Sequence, residues 1–201
     1  MYQRKIFERY LTVAEEKQLL KAVARVADAL AQRDYAWMRL LRHTGIRVVT
    51  VSGLTVHDAR TALRTGYLQI RPEISKGRRG GTLFMNKGAK RALRDLLSIR
   101  RAMGYAEQPD AALVMSRNHR PMSRRSYQSR MRQWCVEAGL DVVASPHWWR
   151  HTLAKRLMSQ STADDPRGIV QRALLHSDIN TSAIYTMPDR EAYEEAMEEV
   201  G

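Results

Sequence analysis

One interruption of helical periodicity constrains what this chain can fold into. Over residues 58–86 the strings "ARTALR", "GYLQIR" and "TLFMN" read as short alternating runs. Thr65-Gly66 stands between the first two as a hairpin-like turn, and the basic, glycine-rich "PEISKGRRGG" separates the last two. Alternation at period two sends successive side chains to opposite faces, as in a half-buried strand. The expectation is a small three-stranded antiparallel sheet. Everything else reads at helical spacing. Leu11–Asp34 carries Leu19, Leu20, Val23, Val26 and Leu30 on helical intervals, with Thr12 and Glu15 in capping-box spacing. Tyr35–Gly45 follows as a second helix ended by glycine, then a short segment that turns at Gly53. Further helices are expected over 87–102, 123–138, 146–159, 166–175, 178–186 and 189–199, with Pro121, Gly139, Pro146, Pro166 and Pro188 at boundaries. The fold class is therefore mainly α with one small sheet (α+β). At 201 residues and 44% hydrophobic content the chain can bury one substantial core. With no repeat or linker, one domain is expected over 1–201, with 1–10 an N-terminal extension and 189–201 a tail.

Charge narrows the partners. Lys and Arg number 34 against 21 acids, a net +13. The tail from Asp189 holds six acids and only Arg190 as a base, leaving 33 bases and 15 acids in the remainder. A surplus of that size points to a polyanion. No stretch approaches the roughly 20 apolar residues of a membrane span, and the basic residues are scattered rather than gathered on one amphipathic helix, so nucleic acid is favoured over a membrane. Cys135 is the single cysteine, which excludes an intrachain disulfide and fits a reducing cytosol.

Four local patterns carry chemistry. In "SPHWWRHTLAKRL", Ser145 suits an N-cap and Pro146 a first helical position. His147 and Arg150 then share a face, while Trp149, Leu153 and Leu157 form a stripe toward the core. His147 and His151 have metal-ligand spacing, but the glutamate of the zinc-protease motif and any cysteine pair are missing, so no metal is expected. "LLHSDINTSAIYTMP" places His176 nine residues before Tyr185, "HTGIRVVTVSGL" places Arg47 after a helix-ending glycine, and Lys76 sits in the basic loop of the sheet. Taken singly, each has an ordinary structural reading: an ion pair, a solvated loop tip, a packed tyrosine.

Together and in this order, Arg47, Lys76, His147-x-x-Arg150, His176 and Tyr185 resemble the catalytic domain of the tyrosine recombinase (phage integrase) family. The matching strings are "TGIR", the hairpin lysine, "PHWWRHT", "LLHSDINTSAIYT" and the final tyrosine, over nearly the whole chain from about Leu11. The resemblance implies a site-specific recombinase that cuts and rejoins DNA through a covalent 3′-phosphotyrosyl link, with no metal or nucleotide cofactor. It implies Tyr185 as nucleophile, His147 as base, Arg47 and Arg150 as phosphate ligands, Lys76 as leaving-group acid and His176 as hydrogen-bond donor. His151 would pack or orient. Relatives often carry glutamate three residues after the first arginine, here Thr50, and glycine before the second histidine, here Leu175. Most also carry an N-terminal core-binding domain, which is not expected here. Double-stranded DNA is the implied partner, in a tetramer with exchange of the C-terminal helix and with accessory DNA-bending proteins. Arg78 and Arg79 beside Lys76, and Arg124, Arg125 and Arg130 in "SRRSYQSRMRQWCVEAG", are the candidate DNA contacts. Two alternatives stand beside this reading: a type IB topoisomerase-like enzyme, and a non-catalytic DNA-binding regulator of the same fold.

Overall fold

The computed structural model describes residues 8–175, 185–186 and 196–199. Helix α1 (Val13–Ala24) starts at a complete capping box: the Thr12 hydroxyl accepts from the Glu15 amide, and the Glu15 carboxylate from the Thr12 amide. It stops well short of Asp34, although apolar spacing continues. Asp28 is the cause. Its carboxylate accepts from the amides of Leu30 and Ala31 and so starts a new helix, α2 (Ala29–Thr44). A side chain that bonds the local backbone in this way competes with helix continuation.

After α3 (Val48–Gly53) comes α4 (Val56–Thr65), which corrects the three-stranded expectation. "ARTALR" is helical. Thr55 and Asp58 form a second capping box, Gly66 closes the helix at φ +82°, and Val56, Ala59 and Ala62 are buried on one face. Ala59, Ala62 and Leu63 lie at i, i+3, i+4, so this short run fits a helical stripe as readily as an alternating one, and the caps decide. The sheet accordingly has two antiparallel strands, β1 (Tyr67–Ile70) and β2 (Gly81–Phe84), with Tyr67 opposite Phe84 and Ile70 opposite Gly81. Leu68, Ile70 and Leu83 face the core; Tyr67 and Phe84 meet edge to face on the exposed side. The basic loop between the strands contains a 3-10 turn, Pro72–Ile74, and a tight turn at Lys76–Arg78 in which Gly77 and Arg78 take positive φ.

Helices α5 (Lys87–Ala102), α6 (Arg124–Glu137), α7 (Trp148–Gln160) and α8 (Pro166–Leu174) fall within about two residues of their expected bounds, the usual scatter of helix ends. The expected helices at 178–186 and 189–199 lie largely outside the described residues; 185–186 form a turn, and 196–199 are helical and exposed. Central α2 packs on α5, α7 and α1, with Trp37, Met38, Leu40 and Leu41 fully buried. Two buried carboxylates tie these helices together. Asp34 accepts from Arg33 and Trp37 with one oxygen, and from Arg130 and Trp134 of α6 with the other. Glu16 of α1 takes Arg42 of α2 and Arg156 of α7. A buried carboxylate is tolerated only when so fully bonded. The result holds α7 by its outer end, while its first turn is left to form the site.

Candidate active site

Gly45 ends α2 in the left-handed region, at φ +60°. A Cβ there would lie 2.5 Å from Leu174 Cδ2 and 3.0 Å from Leu153 Cδ2, so backbone and packing both demand glycine. The chain turns at once into Arg47, the N-cap residue of α3. The Gly45 carbonyl accepts from Arg150 Nη1 at 2.8 Å, and the Leu174 carbonyl accepts from Nη2 at 2.6 Å. Arg150 is thus held between the ends of two helices whose terminal carbonyls carry partial negative charge. It is only 3% exposed, and it also donates a hydrogen bond to the Tyr185 hydroxyl. Burial, reinforced by Arg47, lowers its pKa to about 10; the guanidinium still carries its charge at neutral pH.

His147 occupies the N-cap position of α7 with helical backbone angles, and the Ser145 carbonyl accepts from the Trp148 amide. The expected Ser145 side-chain cap is replaced by this tight first turn. Trp149 enters the core as its spacing predicted, and Leu153 and Leu157 pack on a smaller cluster with Val170, Leu174 and Tyr185. The His147 pKa is lowered to about 4 by desolvation first, then by Arg150, Arg47 and Lys76. The residue retains solvent exposure, and repulsion from the three cations adds to the desolvation. His147 is neutral at pH 7 and can accept a proton. Tyr185 is 6% exposed; burial raises its pKa, while Arg150 and Arg47 act in the opposite direction. The His151 ring stands between these two groups, 4.7 Å from His147 and 5.3 Å from Tyr185 by ring centroids, edge to face with each.

A cleft of about 140 Å³ opens beside Arg150, lined by Arg47, Lys76, Arg79, Thr50 and Leu175 among others. No carboxylate lines it among the described residues. Lys76 is exposed in the loop between β1 and β2, with Gly77 and Arg78 following at positive φ. Arg47, Lys76, His147, Arg150 and Tyr185 are therefore brought together from separate parts of the chain. His176 lies outside the described residues. Arg79 joins the cleft; Arg78, Arg124 and Arg125 are exposed. Arg130 commits its guanidinium to Asp34, Gln133 and the Trp134 ring. The sequence marks Arg79 as a DNA contact beside Lys76 and Leu175 as a departure from glycine, but that both line the cleft follows only from the fold. The placement of His151 was legible as an i, i+4 partner of His147.

Residues 9–192 match the model of the phage integrase family. This chain belongs to that family. It is 36% identical over 162 residues to the tyrosine recombinase XerC of Shewanella amazonensis, covering 81% of this chain and 51% of that protein. It is 31% identical to the tyrosine recombinase XerD of Haemophilus ducreyi, covering 79% and 51%. The chain spans about half the length of the curated relatives it matches. Its fold matches the crystal structure of XerA recombinase with a TM-score of 0.74 at 21% identity, covering 98% of this chain and 65% of that one. It also matches XerH site-specific recombinase bound to its difH substrate, with a TM-score of 0.71 at 22% identity, covering 98% and 55%. Among the described residues, no helix is long and apolar enough to cross a membrane.

Proposed function

We propose that this chain catalyses site-specific DNA recombination by transesterification. The observation that carries the reading is the Tyr185 hydroxyl, bonded to a buried Arg150 beside a cationic cleft that no described carboxylate lines. A tyrosine hydroxyl is mostly protonated at neutral pH, and burial here strengthens that. His147, held neutral by desolvation and by its cationic neighbours, takes the Tyr185 proton. The tyrosine oxygen forms a bond to phosphorus as the bond from phosphorus to the 5′ oxygen breaks. Lys76 delivers a proton to that departing oxygen. Arg47 and Arg150 hold the non-bridging oxygens where charge builds, a task suited to a planar, permanently charged donor. His176 donates a further hydrogen bond to the phosphate. The phosphotyrosyl bond keeps the energy of the one broken, so a second strand bearing a free 5′ hydroxyl reverses the step without an external energy source.

DNA backbone contacts fall to Arg78 and Arg79 around the cleft and to Arg124 and Arg125 at the start of α6, with Arg130 behind them. The active assembly is a tetramer on duplex DNA that exchanges C-terminal helices, assisted by DNA-bending proteins. The test is a pool of nicked duplexes with randomised centres, which trap a covalent intermediate by losing the cleaved end. Wild-type protein should give a denaturant-resistant protein–DNA band, absent in Tyr185→Phe, and sequencing its DNA reports the site. Tight, salt-sensitive binding of a selected duplex with no covalent band would transfer the chain to the non-catalytic regulators. Relaxation of supercoiled plasmid lacking any selected site would favour topoisomerase-like chemistry.

A further inference from the structure

We propose that Leu175 is a positioning residue that clamps the loop bearing Lys76 over the cleft. The inference rests on the reading of Lys76 as leaving-group acid. Leu175 has φ +52° and ψ +47°, a left-handed conformation in which its Cβ is crowded by the backbone. A non-glycine residue persists there only when its side chain is held by something else. What holds it is β2. A Cβ built on Gly81 would lie 2.7 Å from Leu175 Cδ1 and 3.1 Å from Cδ2. Gly81 does not have positive φ, so the position needs glycine for space rather than for backbone freedom. Leu175 also packs against the main core cluster and lines the cleft with Lys76 and Arg79.

The two contacts of this corner reach both sides of the reaction. Gly81 pairs with Ile70 at the base of the loop from Arg71 to Gly80, which carries Lys76. The neighbouring Leu174 carbonyl anchors Arg150. The Lys76 ammonium makes no hydrogen bond or ion pair with any described residue, so its place over the leaving oxygen is set by the loop backbone alone. The Leu175 side chain, seated against Gly81, ties that backbone to the wall holding Arg150.

A substrate with sulfur in place of the 5′-bridging oxygen separates this role from general support of the fold. A thiolate leaves without protonation, so it does not require Lys76. Cleavage of nicked duplexes of the trapped sequence, with oxygen or sulfur at that position, is measured for wild type, Leu175→Gly, Gly81→Ala and the double variant Leu175→Ala/Gly81→Ala. Amide hydrogen exchange over residues 71–81 is followed in parallel. Leu175→Gly should cleave the oxygen substrate roughly tenfold or more slowly, as expected for a displaced acid, but the sulfur substrate within about threefold of wild type. Its loop amides should exchange faster. Gly81→Ala should show the same signature, and the double variant should recover, because the methyl added on β2 fills the room that leucine vacates. Equal slowing on both substrates would overturn the proposal, since it would place the effect on Arg150 or the nucleophile. So would wild-type rates together with unchanged exchange. If wild type itself cleaves neither substrate, the recombinase reading fails instead, and the clamp is judged by exchange alone: unchanged loop protection in Leu175→Gly and Gly81→Ala refutes it.

Discussion

Replacing Gly45 with alanine tests whether one turn serves both the fold and the reaction. At φ +60° an alanine is strained, at a cost of about 1 kcal/mol relative to glycine. Its methyl would approach Leu174 Cδ2 to 2.5 Å and Leu153 Cδ2 to 3.0 Å. Both are ends of flexible side chains, so the overlap belongs at the low end of overpacking penalties, about 1 kcal/mol. The sum of about 2 kcal/mol corresponds to a fall in Tm of roughly 4–8 °C for a domain of this size. Calorimetry or circular dichroism reads that directly. The chemical consequence is separate. Gly45 and Leu174 supply the two carbonyls that hold Arg150, and the backbone strain of alanine at position 45 displaces the first of them. Loss of a transition-state donor costs about 10²–10³ in rate, so its displacement should slow covalent trapping roughly tenfold to a hundredfold at a temperature where the variant is fully folded. A variant that melts within about 2 °C of wild type and traps DNA at the wild-type rate would refute the reasoning.

Asp34→Asn keeps the shape of the side chain but leaves Arg33 buried beside a neutral amide; it should lose about 3–5 kcal/mol in urea denaturation, and Arg130→Met should lose less because Arg130 reaches solvent. His43 is half-buried among Arg42, Arg39 and Arg156, opposed by Glu16, and its pKa is lowered from 6.5 to about 4, with desolvation the largest cause. The unfolded chain therefore binds the extra proton between those values, and stability falls as pH drops through that window, by about 1–2 kcal/mol once the 1.36 kcal/mol per unit is discounted for solvent screening of a half-exposed ring; His43→Gln should flatten the difference between urea midpoints at pH 7 and pH 4.5. Arg124→Ala with Arg125→Ala should lower the salt slope of DNA binding by about 2 and weaken all sequences alike, whereas Arg130→Ala should register first in the melting temperature, through the loss of its bond to Asp34.

Much of this was legible in one dimension because it is local. Thr12 with Glu15 announced α1, and the helical spacing over 87–102 announced α5. The spacing of His147 and Arg150 put both on the first turn of α7, whatever that helix packed against. The errors were also local ones. "ARTALR" is too short for periodicity to separate strand from helix, and the competing signal, Thr55 with Asp58, begins outside it. The break at Asp28 was hidden because the apolar period runs on across it while one carboxylate redirects the backbone.

By itself the sequence determined which residue types could meet a phosphate, and in what order they occur along the chain. Caps, turn residues and helical stripes reinforce this because each depends on neighbours within a few positions. Only the tertiary structure decided that Arg150 hangs from the carbonyls of Gly45 and Leu174, that Arg130 turns inward to Asp34, and that Leu175 is wedged against Gly81. These contacts join residues up to 105 positions apart. They follow from how whole helices pack, and no local spacing encodes which carbonyl or which methyl will stand at the other end.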